Sequence, residues 1–354
     1  MKNCLCFLPA TNFSRGMSSL PLKTTASNLL HQQDPLFSQL DADLQRIEEE
    51  INKNLHSSVP LIAHVSRYII RSGGKRLRPL LMVLSTRLLD SQADNQHALS
   101  IVFEYLHAAT LLHDDVVDNA ELRRGRPSAN TLWGNAAVVL VGDFLLATSF
   151  FLSVLSGNLE ILRVLSETTT LMAEGEVLQL VNSDNLEISE GDYIEVITRK
   201  TAILIAASCQ IGAIVGDATE EQEEAMRRFG LNLGIAFQLR DDYLDYAGTE
   251  EEVGKPVGKD LLEGKITLPL IRALVSSNSK DRRHLVDLIT SESMNEEVFI
   301  EIKIIIDKYQ GLEYTDQLAN RYIAEAKSAL EMFPPSPTRE SLFEISDYVI
   351  TRRI

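Results

Sequence analysis

"AAVVLVGDFLLATSFFL", Ala136 to Leu152, decides the fold class. Apolar residues fill almost every position and do not alternate, so a helix here is apolar around most of its circumference and is expected to be buried by neighbours on all sides. Suitable neighbours flank it. Leu36, Leu40, Leu44, Ile47, Ile51 and Leu55 recur every three or four residues, the spacing of one helical face. Further helical stretches cover 58–72, 77–90, 94–119, 129–155, 160–181, 190–214 and 219–247, and weaker ones 266–276, 281–290, 294–308, 314–332 and 337–350. Thr219 with Gln222 reads as a capping box, and Gly248 as a helix stop. No sustained two-residue alternation bounded by turns occurs, so essentially no sheet is expected. No linker of Pro, Gly or Ser divides the chain after residue 36. The reading is one large all-α domain over 34–354, a bundle of long helices around a central cavity.

A net charge of −16 over 354 residues argues against a nucleic-acid partner, since no basic stripe can meet a duplex. It leaves room for small phosphorylated ligands, which need only a local basic pocket. Cys4, Cys6 and Cys209 cannot build a disulfide framework, so a reducing, cytoplasmic setting is the default. Residues 1–33 contain no Asp or Glu but include Lys2, Arg15 and Lys23. That composition fits a mitochondrial or plastid transit peptide, a disordered extension, or a start upstream of Met17. No uninterrupted apolar run reaches the roughly 18–20 residues of a membrane span, so no transmembrane segment is expected.

The chemistry is concentrated in "LLHDDVVDNAELRRGRP", Leu111 to Pro127. On a helix Asp114 and Asp118 stack on one face with Asp115 beside them, and like charges at that spacing repel. Alone, the cluster reads equally as a solvated helix end or as a cation site. A second stretch, "FQLRDDYLDYAG" (Phe237–Gly248), repeats the spacing with Asp241, Asp242 and Asp245, again near the end of a long apolar helix. Six carboxylates converging on one cavity suit a hard cation such as Mg²⁺, which shares its shell with phosphates and water.

Cations supply the counterpart. "RSGGKRLRP" (Arg71–Pro79) sets a Gly-Gly turn before Lys75, Arg76 and Arg78, where a phosphate can be gripped. "RKT" (Arg199–Thr201) carries little signal by itself. "GKPVGKDLLEGK" (Gly254–Lys265) is a glycine-punctuated loop with Lys255, Lys259 and Lys265, able to fold over a polyanion, although its glycine order is not that of a Walker loop. His107 lies seven residues before Asp114, close to two turns, and so on the same face. No Ser-His-Asp order, Cys-x-x-Cys pair or dinucleotide fingerprint is present.

Together these motifs resemble the all-trans polyprenyl diphosphate synthases, the head-to-tail isoprenyl chain elongases, of the long-chain octaprenyl or solanesyl type. The likeness runs from about Leu36 to the end, with six separated motifs in family order. It implies the isoprenoid synthase fold and a Mg²⁺-dependent prenyltransferase, with three ions in the substrate complex and Mn²⁺ as a substitute. By that likeness Asp114, Asp115, Asp118, Asp241, Asp242 and Asp245 line the metal site. Arg123 holds the allylic diphosphate, assisted by Lys200, Thr201, Lys255 and Lys265. Lys75, Arg78, His107 and Arg124 hold isopentenyl diphosphate, and Phe237 and Gln238 flank the reacting allyl group. The resemblance also implies a homodimer through the central helices, and no motif element is missing.

The implied chemistry needs these residue types. Ionising an allylic C–O bond leaves a multiply charged diphosphate, which cations stabilise more in the transition state than in the ground state. Isopentenyl diphosphate then attacks, and a proton is lost to the departing diphosphate. Short-chain relatives carry bulky aromatics just before the first cluster, whereas this chain has Ala108, Ala109 and Thr110. An open wall gains roughly one isoprene unit per helical turn of about 5.4 Å, so the expected product is about C30 to C50, with about C40 the single value chosen. Such a product serves quinone side chains and is delivered to a membrane. The alternatives are a geranylgeranyl or farnesyl diphosphate synthase, a class I terpene cyclase, which would not need the Lys75–Arg78 and Arg124 pocket, and a non-catalytic subunit, which would have lost aspartates.

Overall fold

The computed structural model describes residues 39–91, 95–247, 258–291 and 295–352. Sixteen α-helices run through them in the order α1 Asp41–Asn54, α2 Pro60–Ile70, α3 Leu77–Arg87, α4 Gln96–Val117, α5 Ala129–Trp133, α6 Asn135–Val154, α7 Leu159–Val181, α8 Glu190–Ile197, α9 Ile203–Val215, α10 Glu220–Ala247, α11 Lys259–Leu262, α12 Leu268–Ser276, α13 Ser279–Ile289, α14 Glu296–Lys308, α15 Gly311–Ala329 and α16 Pro337–Thr351. The all-α expectation holds.

Long helices form where the apolar period is longest, and their ends carry the expected signals. Gln222 N–H donates to Thr219 Oγ1 at 3.3 Å while Thr219 N–H donates to Gln222 Oε1 at 2.9 Å, the reciprocal box expected before α10. Gly248, the expected stop, lies outside the described residues. Pro60, Pro269 and Pro337 stand in the first turns of α2, α12 and α16, where a missing N–H is harmless.

Three apolar clusters make the core. One joins α1–α4 to α6, α9, α10, α15 and α16. A second lies under α8, α10, α12, α14 and α15, and a third ties α3 and α4 to α7 and α9. The C-terminal ends of α4 and α10 carry the two aspartate groups, that of α4 packed into the first apolar cluster and that of α10 into the second.

One expectation gains a detail and another needs correcting. Leu122–Arg123 pairs antiparallel with Arg126–Pro127, a two-residue ribbon that leaves the expectation of essentially no sheet standing. Arg124 (φ 52°) and Gly125 (φ 70°) both take positive φ, the backbone of a tight hairpin turn. A pattern of four paired residues is too short for alternation to reveal. Helix α6, in turn, is not buried on all sides. It packs along α4, but Val139, Leu140, Phe151 and Val154 stay exposed, and only 33% of its apolar window is buried. By length and composition it is apolar enough to cross a membrane, because a helix absorbs the single Asp143 that breaks the run in sequence.

Candidate functional site

Asp118 closes α4, its N–H donating to Asp114 O at 2.8 Å, and Asp245 stands two residues from the end of α10. Carboxylates at helix C-termini face the negative pole of the macrodipole, so both clusters are placed where a cation is most needed. Burial pushes Asp114 up to about 6, with Lys200 opposing and Glu176 adding to the shift. Burial also pushes Asp242 up to about 8, reinforced by Asp260 and opposed by hydrogen bonds from Tyr193 and Gln238.

The six aspartates are not equivalent. Asp114, Asp118 and Asp241 are partly open, and Asp242 is 3% exposed. Asp115 is fully buried, where Arg123 Nε donates to its Oδ1 at 2.7 Å and its Oδ2 has no hydrogen-bond partner. Asp245, also fully buried, accepts the Asp260 N–H at 3.0 Å and binds Gly258 N–H through its backbone carbonyl at 3.0 Å, joining the end of α10 to the start of α11. Repeated spacing in sequence therefore does not give six carboxylates turned into one cavity. Helical rotation turns Asp115 and Asp245 toward protein partners.

Two cations meet the first cluster. Lys200 Nζ lies 2.7 Å from Glu176 Oε2 and 4.0 Å from Asp114 Oδ2. Lys265 Nζ lies 2.6 Å from Glu263 Oε2 and 3.3 Å from Asp118 Oδ2. Lys255 lies outside the described residues. Lys200 and Thr201 are delivered by a π-helical turn, Thr198–Ala202, between α8 and α9. Such turns re-aim side chains at functional sites, and two glycines make room for this one. A Cβ on Gly175 would lie 2.6 Å from Lys200 N, and one on Gly234 would lie 2.6 Å from Ala202 Cα.

The second basic group lies near the Gly73-Gly74 turn, where Arg124 and Arg76 approach the glycines. Arg78 Nε is buried with no hydrogen-bond partner. Burial and the charges of Arg78, Arg124, Arg123 and Arg76 push the His107 imidazole well below its ordinary value, so it is neutral and can donate to or accept from a ligand. Arg124 reaches from the hairpin to Gly73 O. The Lys75 ammonium stands 4.5 Å from the centre of the Tyr348 ring. Arg76 differs: it is 4% exposed and spent on Glu48 (2.6 Å), Glu104 (2.5 Å) and Ile70 O (2.9 Å), so it braces the loop.

Phe237 lies under the Arg352 guanidinium, 3.8 Å from the ring centre. Gln238 accepts from Thr201 Oγ1 at 3.1 Å and donates to Asp242 Oδ1 at 2.7 Å. Ala109 is buried and Thr110 half-buried, its hydroxyl donating to His107 O at 2.9 Å. A cavity of about 130 Å³ beside α8 is lined by Tyr193, Lys200, Thr201, Gln238, Asp242 and Lys265, among others. Ala109 and Thr110 do not line it.

Sequence reasoning missed Glu176, Tyr193, Asp260, Glu263, Tyr348 and Arg352. Glu176 follows Gly175, a faint signal at most. Arg352 Nη2, which lies 2.6 Å from Asp241 Oδ1, had none, because 111 residues separate the pair.

The two aspartate clusters offer carboxylate oxygens, which fit a hard divalent cation. Among the described residues no three acidic, imidazole or thiol side chains close a cage alone, so such an ion would complete its shell with ligand oxygens.

A sequence model of the polyprenyl synthetase family matches residues 59–305. Octaprenyl diphosphate synthase of Haemophilus influenzae is 40% identical over 319 residues, 90% of this chain and 97% of that one. The crystal structure of a polyprenyl synthase from Caulobacter crescentus, complexed with calcium and isoprenyl diphosphate, superposes with a TM-score of 0.85 at 41% identity, covering 90% of this chain and 97% of that one. A decaprenyl diphosphate synthase from Rhodobacter capsulatus gives 0.84 at 38% identity, over 90% and 98%.

Proposed function

Because this chain belongs to the polyprenyl synthetase family and is a prenyltransferase, we propose that it condenses an allylic diphosphate with isopentenyl diphosphate repeatedly. The product is a long-chain all-trans polyprenyl diphosphate of about C30 to C50, with about C40 the value expected. The octaprenyl and decaprenyl synthases among its relatives support the long-chain reading. The observation that carries it is the convergence of charge on one site: Lys200 and Lys265 pair with Asp114 and Asp118 at the end of α4 and share a cavity wall with Asp242 of α10.

Asp114, Asp118, Asp241 and Asp242 would hold Mg²⁺ together with the diphosphate, and the ion would supply charge stabilisation for the leaving group. Lys200 and Lys265 add fixed positive charge on the same side. Arg78, Lys75, Arg124 and neutral His107 orient the second diphosphate in a separate pocket, which sets its double bond against the allylic carbon and keeps water out. Gln238 and Phe237 flank the reacting allyl group. The exposed apolar face of α6 is the surface through which a second copy docks to form a homodimer. We place the enzyme in the cytoplasm, with its product passed to a membrane for quinone side chains.

The deciding experiment supplies isopentenyl diphosphate and an allylic primer with Mg²⁺, then separates the dephosphorylated products by chromatography. Retained turnover in EDTA would sink the metal reading, and wild type stopping at C15 or C20 would sink the long-chain one.

A further inference from the structure

Asp242 is held from two sides by neutral donors. Its Oδ1 accepts the Gln238 amide from one turn earlier on α10, at 2.7 Å. Its Oδ2 accepts the Tyr193 hydroxyl from α8, at 2.5 Å. Gln238 is itself fixed by the Thr201 hydroxyl, so the chain of bonds runs from the π turn through α10 to α8. A carboxylate with one donor still turns about its Cβ–Cγ bond. Donors on both oxygens, from two different helices, stop that rotation.

The donor on α8 is rigidly mounted. Ser189 caps the helix by accepting Asp192 N–H at 3.1 Å, and Tyr314 on α15 donates to Glu190 at 2.9 Å. The Tyr193 ring is 4% exposed and packed in the core under α8, α10 and α12. A bound divalent cation favours the ionised form of Asp242 over the protonated form that burial favours, and an ionised carboxylate offers about four acceptor sites, so each oxygen keeps one after these two bonds. Asp242 lines the same cavity as Tyr193, Gln238, Lys200 and Lys265. The residue type matters as well. A lysine at position 193 would neutralise Asp242 and compete with any cation, whereas a phenol orients the carboxylate and leaves its charge in place.

We propose that Tyr193 is a positioning residue for the metal–diphosphate site, its hydroxyl fixing the Asp242 carboxylate so that the remaining lone pairs meet the cation. The inference rests on the divalent-metal prenyltransferase reading given above. Partners one step removed from a metal typically change its affinity by about 10–100-fold. Tyr193→Phe removes one oxygen and leaves the ring to fill the core.

The test titrates Mn²⁺ into the full chain with inorganic diphosphate, following free Mn²⁺ by electron paramagnetic resonance, with thermal melting alongside. Tyr193→Phe should weaken Mn²⁺ binding at least about tenfold while its melting transition stays cooperative. A second measurement repeats the substitution in an Asp242→Asn background, where it should weaken binding no further, because Tyr193 acts through Asp242. Wild-type affinity in Tyr193→Phe would overturn the proposal, and so would an equal loss in both backgrounds. Failure of the wild-type chain to bind Mn²⁺ with diphosphate would instead overturn the metal reading itself, and the role of Tyr193 with it.

Discussion

Lys265 Nζ sits 3.3 Å from Asp118 Oδ2, joining two residues 147 positions apart across the mouth of the cleft. The lysine comes from the segment after α11 and the aspartate from the end of α4, so the pair ties that segment to the first cluster. Glu263 also holds the ammonium, at 2.6 Å. Burial disfavours its charge, but Glu263 and Asp118 outweigh that and raise its pKa, so it is a permanent cation at neutral pH. Lys265→Ala should therefore lower kcat by about 100-fold, the scale of one lost electrostatic contact to a developing anion. The KM for isopentenyl diphosphate should change little, whereas Lys75→Ala or Arg78→Ala should mainly raise it. Steady-state kinetics with each substrate varied separately would show whether the two pockets are assigned correctly.

Gly175→Ala tests the mounting of the π turn. A Cβ there would lie 2.6 Å from Lys200 N and 2.9 Å from Arg199 C, both backbone atoms that cannot swing aside. Overpacking of this kind costs about 1–3 kcal/mol. A lower melting temperature with a marked fall in kcat is expected, since Lys200 and Thr201 move with the turn. An unchanged melting temperature would show that the turn has slack.

Ala109→Phe should shorten the product. Ala109 is 3% exposed and packs in the cluster that includes Leu112, Val138 and Val141, so a phenyl ring there must displace the α4–α6 contact or protrude along the path of the tail. Chromatography of the dephosphorylated chains would read the shift. A product of wild-type length would place the length-setting residues elsewhere.

Leu140 and Phe151 are 66% and 62% exposed on α6. In aqueous solution such a face needs covering. Light scattering at micromolar concentration should give a dimer, and Leu140→Asp should shift it toward monomer. A monomeric wild type would refute the docking assignment.

Acid stability should depend on Asp43. Burial raises its pKa, but hydrogen bonds from His97 (3.0 Å) and Arg87 (2.6 Å) outweigh burial and bring it to about 2 from 3.8. The folded state thus favours the ionised form. The stability gained is fully present above 3.8 and lost as pH falls through about 2. Asp43→Asn should melt earlier than wild type at neutral pH, and the difference should shrink on acidification below 3.8, as differential melting against pH would show.

What the sequence alone determined was whatever repeats locally. Helical periodicity marked the long helices, and the Thr219–Gln222 box marked the start of α10, because both are encoded within a few residues. The paired clusters at Asp114 and Asp241 and the turn before Lys75 were legible for the same reason, as charge patterns with a fixed spacing. Only the tertiary structure decided which of those charges are available. Asp115 and Asp114 are adjacent, yet one is buried against Arg123 and the other faces Lys200, since rotation about the helix axis gives each a different wall. The same holds for the covering of α6: apolarity all round shows that a surface needs a partner, and only packing shows which face α4 leaves open. Tyr193 and Arg352 reach Asp242 and Asp241 across 49 and 111 residues, distances at which chain order carries no geometric information. A carboxylate's direction is set by the donors that folding brings beside it, and those belong to other helices.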